Sequence, residues 1–175
     1  MNTLYYGDNL TIMRDKLMNG SVDLIYLDPP FNSNRNYNLM YRNMTGQPIP
    51  EQVEAFCDAW SMTAEKEEEA RQIPELLRET GVSDEYLTFW RYWISSLRDV
   101  NSSLMAYLIY MVPRLCYMKG LLNPKGSIYL HCDPTVSHYI KVMMDGIFGH
   151  KNFRNEIIWK RTSAHNSAKR WGPII

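Results

Sequence analysis

Four consecutive residues, Asp28-Pro29-Pro30-Phe31, combine an acid, a rigid backbone and an aromatic ring. Two successive prolines stiffen the chain and donate no backbone hydrogen bonds, so nearby carbonyl oxygens stay available as acceptors. The carboxylate and those carbonyls can accept hydrogen bonds from an amino group, while the ring can stack on a flat molecule. An extruded nucleobase requires this combination, because its edge must be read while its face is stacked. A turn that only ends a strand is the simpler alternative.

Asp28 is one of two acids that follow strand candidates. It comes directly after Val22–Leu27, and Asp8 follows a shorter candidate at residues 3–6. In open parallel sheets, ligands bind beyond the carboxyl ends of the strands. Both acids are therefore candidate site residues. Asp8 is also suited to capping the helix that follows it, and the two roles can coexist.

The elements that position these acids follow from hydrophobic patterning. The run Val22–Leu27 is nearly all apolar, as in a buried parallel strand. Two further strands are predicted at residues 127–131 and 155–159, with a loop at 32–50 and a turn at 123–126. Pro113 should kink or break the helix that contains it. Helices are predicted at residues 9–17, 51–60, 64–79, 84–97, 104–117 and 133–148.

Strands that alternate with helices predict an α/β fold with a mostly parallel sheet. Right-handed crossovers place residues 22–27 beside 127–131, with residues 3–6 on the other side of the first strand. Residues 34–101 are too many for an ordinary crossover, so we expect a helical insertion within a single domain over residues 1–175. Trp90 and Trp93 should anchor that insertion in a core.

At these motifs the sequence resembles the DNA amino-methyltransferases, which transfer a methyl group from S-adenosylmethionine to adenine N6 or cytosine N4. Asp28–Phe31 matches the family's Asp/Asn/Ser-Pro-Pro-aromatic motif in full. Gly7-Asp8-Asn9-Leu10 looks like the preceding motif, whose acid faces the cofactor adenine. Residues 126–133 and 152–159 look like the strands that follow. The matches span most of the chain and occur in the family's order.

The resemblance implies a partial Rossmann-like methyltransferase fold with S-adenosylmethionine as cofactor. It implies catalytic roles for Asp28, Pro29, Pro30 and Phe31, and cofactor binding by Asp8 and Asp28. Asp28 and a carbonyl of the proline region would accept hydrogen bonds from the target amine, and Phe31 would stack on the base. Aspartate in the first position favours adenine over cytosine.

The order of motifs resembles the permuted group of the family, in which an aromatic-x-Gly-x-Gly cofactor motif comes last. The nearest candidate, Gly146-Ile147-Phe148-Gly149, ends a predicted helix and has no strand before it. We therefore expect an incomplete catalytic domain: a truncated reading frame, an expressed fragment or one half of a split enzyme. Its sheet should expose apolar side chains.

Charge and composition bear on partners and location. The net charge of zero conceals an acidic block at residues 51–85, with eleven carboxylates and three basic residues, which leaves the remainder basic. The expected partners are double-stranded DNA and a C-terminal half or restriction subunit. The basic run at residues 160–170 would contact phosphates or form a solvated end. Three separated cysteines favour a reducing cytoplasm and argue against a metal site. No apolar run is long enough to span a membrane.

Three functions remain open at this point. The first is an adenine-N6 DNA methyltransferase that is active when complete. The second is a catalytically silent DNA- or partner-binding fragment, and the third is a methyltransferase acting on RNA or on protein amines. His131 is expected to be a packing or hydrogen-bonding histidine at a strand end rather than a catalytic base.

Overall fold

The computed structural model describes residues 2–30 and 60–159, together with the backbone of residues 36–38 and 54–57. The elements in chain order are α1 (Asn9–Lys16), β1 (Val22–Leu27), β2 (Asn36–Asn38), β3 (Glu54–Cys57), α2 (Ala64–Glu79), α3 (Asp84–Val100), α4 (Ser102–Leu121), β4 (Leu122–Leu130) and α5 (Ser137–Met144). A π-helical turn at Asp145–Gly149 and a 3-10 turn at His150–Asn152 follow α5. The predicted α/β class is confirmed, and the described residues are compatible with a partial Rossmann-like fold.

β1 and β4 pair in parallel, as predicted. Their register is regular from Leu24 opposite Ser127 to Leu27 opposite Leu130, but Val22 lies opposite Leu122. The intervening residues 123–126, predicted as a turn, therefore belong to β4, where they form an irregularity. The turn chemistry persists locally, because the Asn123 side chain accepts a hydrogen bond from the Lys125 amide at 2.8 Å.

The core is built around α4, which contacts α1, α2, α3 and α5. Thirteen of its residues are buried, so the helix is packed around most of its circumference. The helix continues through Pro113, so the break, one of the two predicted effects of this proline, does not occur. Packing against four other helices outweighs the local cost of the proline, because most helical stability in proteins comes from tertiary contacts.

α2 and α3 begin at the residues expected of capped helices. The Thr63 hydroxyl accepts a hydrogen bond from the Lys66 amide, and the Ser83 hydroxyl accepts one from the Tyr86 amide. Trp90 is buried in the core and Trp93 packs against it, which confirms their predicted anchoring role.

One predicted helix and two predicted strands are wrong, and β2 lies within residues 32–50, which were predicted as a loop. Within residues 51–60, a helix was expected, but residues 54–57 form β3, which pairs with β2 in antiparallel fashion. Residues 3–6 and 155–159 are not strands, and their side chains are exposed, with Leu4 at 97% and Trp159 at 79%. β-rich composition alone does not make a strand, because a strand needs a hydrogen-bonded neighbour and a face to bury.

In the described part of the chain, the parallel sheet therefore has two strands. One of its faces packs on the core through Ile25, Leu27, Ile128 and Leu130. Leu24, Tyr26 and Tyr129 remain exposed. The predicted exposure of apolar side chains on the sheet is thus observed.

Candidate active site

A cleft of about 480 Å³ lies at the carboxyl end of β1. Its volume falls within the range of ~300–1,000 Å³ that is typical of small-molecule sites. The lining residues come from the segment before α1, the end of β1 and the middle of α4: Gly7, Asp8, Asn9, Leu27, Asp28, Pro29, Pro30, Tyr110, Met111, Arg114 and Met118. The structure thus brings Asp8 and Asp28, two acids predicted separately, into one cavity.

Asp8 caps α1. Its Oδ1 atom accepts hydrogen bonds from the amides of Leu10 at 2.9 Å and Thr11 at 3.3 Å. Its Oδ2 atom lies 2.5 Å from Nη2 of Arg114. The Asp8 side chain is half exposed and lines the cleft. Capping and lining therefore coexist in one residue.

Arg114 is a site residue that the sequence reasoning missed. Its side chain is only 9% exposed, and its guanidinium donates to Asp8, to the Asn9 side chain at 2.9 Å and to the Tyr110 carbonyl at 2.9 Å. It also lies over the Tyr110 ring, 3.4 Å from the ring centre. The signal that could have found it is a lone arginine among the apolar residues at the middle of α4, since a buried charge needs a partner.

Two opposing effects act on the pKa of Asp8. Burial raises the pKa, whereas the positive charge of Arg114 and the hydrogen bonds from Thr11, Arg114 and Leu10 lower it. The lowering effects together are larger, so the pKa lies below its ordinary value of 3.8. Asp8 is therefore ionised at neutral pH and contributes a fixed negative charge to the cleft wall.

Asp28 lies at the end of β1, beside His131 at the end of β4. The distance from Asp28 Oδ1 to His131 Nδ1 is 3.1 Å. The backbone amide of His131 donates to the Leu27 carbonyl at 2.8 Å, so the strand pairing continues to this point. This confirms the expectation that His131 is a hydrogen-bonding histidine at a strand end.

Two of the three remaining predicted site residues lie in the described part of the chain. Pro29 and Pro30 follow Asp28 and line the cleft. Phe31 lies outside the described residues, as do residues 160–170 of the basic run.

The residues that line the cleft fit a cationic ligand that also carries apolar and aromatic parts. Asp8 and Asp28 bring two carboxylates against the single guanidinium of Arg114, while Leu27, Met111 and other apolar groups complete the wall. S-adenosylmethionine, with its sulfonium and adenine ring, has this character. The lining is thus compatible with the cofactor that the sequence resemblance implies.

Cys116 and Cys132 are free cysteines in the described part of the chain. Burial is the main cause that raises the pKa of Cys116, and it raises that of Cys132, together with Asp133 and Glu156, to about 11. Both thiols are therefore poor nucleophiles near neutral pH. Within the same ranges, no group of three or more His, Cys, Asp or Glu side chains could hold a metal ion, and none of the helices is long and apolar enough to cross a membrane.

Three relatives show what the chain is similar to. It is 29% identical over 164 residues to the Mod subunit of the type III restriction-modification enzyme StyLTI of Salmonella typhimurium, an alignment covering 91% of this chain and 20% of that subunit. It is 25% identical to the EcoP15I Mod subunit of Escherichia coli, covering 93% of this chain and 21% of the relative. The type II methyltransferase M.KpnI of Klebsiella pneumoniae is 22% identical, in an alignment that covers 97% of this chain and 29% of that enzyme.

The chain spans about a fifth of the length of these two Mod subunits. A family model described as DNA methylase matches residues 22–173. That range contains Asp28, His131 and Arg114, although it begins after Asp8. Because the match covers most of the sequence, the chain belongs to the DNA methylase family.

Proposed function

We propose that this chain handles the target base and faces the methyl donor in an S-adenosylmethionine-dependent DNA methyltransferase that modifies adenine N6. The observation that carries the proposal is the shared cleft: Asp8 and the Asp28-Pro29-Pro30 segment line one cavity at the carboxyl end of β1. That both acids of the sequence prediction line this cavity supports their acting in one reaction.

Asp28 acts on the amine. The lone pair of an adenine amine is delocalised into the ring, which makes the nitrogen a weak nucleophile. Hydrogen bonds from the amine to the Asp28 carboxylate and to a carbonyl of the Pro29-Pro30 segment favour a more tetrahedral nitrogen. When bound, S-adenosylmethionine supplies an electrophilic methyl group. Asp28 would stabilise the positive charge that develops on N6 as this nitrogen takes up the methyl group, and would accept the proton that N6 loses.

Phe31 is proposed to stack on the flipped base, next in sequence to the residues that read its edge. Base–aromatic stacking elsewhere is worth ~1–3 kcal/mol. The aspartate at the start of the tetrapeptide supports adenine as the target, and cytosine N4 is the alternative.

Asp8 is proposed to face the methyl donor in the cleft. Capping occupies Oδ1, while Oδ2 faces Arg114, and a carboxylate oxygen can accept more than one hydrogen bond. The excess of carboxylate over guanidinium in the lining favours a cationic donor over an anionic one.

The proposed partners are double-stranded DNA and further subunits or segments of a restriction-modification enzyme. Two of the relatives are named as Mod subunits of such enzymes. We propose that this chain works in association with a restriction subunit.

The test is methyl transfer by the protein expressed from its complete gene. Labelled S-adenosylmethionine is supplied with duplex DNA, RNA or protein, and the modified base is identified by mass spectrometry after digestion. N6-methyladenine in DNA is expected, and it should be lost in Asp28→Ala. N4-methylcytosine, or label only in RNA or protein, would contradict the proposal. Isothermal titration of the 175-residue chain with S-adenosylmethionine distinguishes a methyltransferase from a catalytically silent fragment. A silent fragment would not bind S-adenosylmethionine.

A further inference from the structure

The pairing of β1 with β4 continues up to the ends of both strands. Tyr26 lies opposite Tyr129 and Leu27 opposite Leu130, and the His131 amide extends the pairing by donating to the Leu27 carbonyl at 2.8 Å. Residues 28 and 131 therefore stand next to each other as the next pair in the register. Neighbouring strands lie ~4.8 Å apart, which brings their side chains within hydrogen-bonding reach.

The side chains of Asp28 and His131 contact each other. His131 Nδ1 lies 3.1 Å from Asp28 Oδ1, with the side chains 55% and 64% exposed. An aspartate with that exposure has several accessible rotamers in solvent, so its carboxylate is not oriented by packing. Among the described residues, Asp28 lines the cleft and His131 does not. Through Asp28, the histidine can influence chemistry in the cleft.

We infer that His131 is a positioning residue that fixes the rotamer of the Asp28 carboxylate for the amine of the target base. This inference rests on the proposed function. The imidazole carries its proton on Nδ1 and donates it to Oδ1. The contact occupies one carboxylate oxygen and leaves Oδ2 to accept a hydrogen bond from the amine.

Such positioning matters because methyl transfer requires alignment of the nitrogen with the bond that breaks. A misplacement of ~1 Å in a reacting group can cost about 10²-fold in rate. Asp28 is the group that aligns the amine, and the structure supplies the orienting hydrogen bond from the neighbouring strand rather than from the tetrapeptide itself.

Substitution of His131 tests the inference through its donor atom. Asparagine carries an N–H donor at nearly the position of Nδ1, whereas leucine has similar bulk and no donor. His131→Leu should lower kcat about 10- to 100-fold. The KM for DNA and the Kd for S-adenosylmethionine should stay within about twofold of wild type. His131→Asn should recover most of kcat. His138→Leu is the matched control, since His138 is exposed on α5 and outside the cleft lining.

A second measurement reports on the contact itself. In the 175-residue chain, the carboxyl carbon resonance of Asp28 should shift in His131→Leu and return towards wild type in His131→Asn. Thermal melts verify that all variants fold. The inference is overturned if both His131 variants transfer methyl groups like wild type, or if both lose activity equally. A wild-type protein that methylates no DNA would instead overturn the proposed function, a result that cannot be mistaken for the other two.

Discussion

Asp8 and Arg114 are separated by 106 residues in sequence, yet the carboxylate Oδ2 and the guanidinium Nη2 lie 2.5 Å apart. The contact joins the start of α1 to the middle of α4, the central helix of the core. It also places both residues on the wall of the cleft. The same carboxylate caps α1 with its other oxygen. One residue thus secures a helix, neutralises a buried cation and contributes charge to the site.

Arg114→Gln should raise the pKa of Asp8 towards its ordinary value. The positive charge of Arg114 and its hydrogen bond both help to lower that pKa, and the variant removes the charge. The change should also destabilise the fold by about 1–3 kcal/mol, because hydrogen-bond acceptors that Arg114 satisfies would be left unpaired. Titration of the Asp8 carboxyl resonance and urea unfolding measure the two effects. Arg91→Gln, on the exposed surface of α3, should change neither.

Asp8→Asn should destabilise the protein in a pH-dependent manner. Asparagine is also a good cap, so this variant removes the charge more than the capping. The folded pKa of Asp8 lies below the ordinary value of 3.8, so the ionised form contributes stability that is present above that value. The contribution is lost as the pH falls through the folded pKa. Urea unfolding at pH 7, 5, 4 and 3 should show the difference from wild type shrinking at the acidic end. A difference that stays constant with pH would contradict the ion pair's role.

Gly126→Ala should disturb the pairing of β1 with β4. A Cβ atom there would lie 2.8 Å from Leu122 Cδ2 and 3.0 Å from the Val22 carbonyl oxygen, at the irregular register of the two strands. We expect a loss of about 1–3 kcal/mol, as in other cases of overpacking. Gly120→Ala is the matched control, since its Cβ would meet the Asn19 side chain no closer than 3.5 Å. Equal melting temperatures for the two variants would show that the register tolerates the methyl group.

Phe31→Trp should preserve methyl transfer better than Phe31→Leu if the ring stacks on an extruded base. The aromatic face is what leucine lacks, whereas a Phe packed in a core tolerates leucine better than the larger tryptophan. Binding curves on DNA with a mismatched target adenine separate stacking from the cost of unpairing. Affinity should fall in the leucine variant and hold in the tryptophan variant. Wild-type affinity in the leucine variant, with only its melting temperature lowered, would make Phe31 a packing residue.

Several elements follow from local sequence. Residues 22–27 and 127–131 were predicted as adjacent parallel strands, and β1 and β4 pair in this way. The helix α2 was predicted with its observed bounds. Asp8 was predicted as a cap and a site residue, and its capping is observed. In these cases the signal lies within a few residues, because periodicity, capping side chains and prolines act on the backbone nearby.

Other features depend on contacts that no local pattern encodes. Residues 3–6 have a strand-like composition but no pairing neighbour, and Pro113 lies inside a helix that its surroundings hold together. Arg114 and His131 acquire their roles from partners more than 100 residues away.

The sequence by itself determined the tetrapeptide at residues 28–31, the acid at position 8, the α/β class and the family resemblance, because residue type and short-range spacing specify each of them. Only the tertiary structure decided that Asp8 and Asp28 share one cleft, that Arg114 neutralises the first and that His131 contacts the second. The physical reason is that hydrogen bonds and ion pairs act over about 3 Å. Which side chains come that close is set by the packing of α1 on α4 and by the register of β1 with β4.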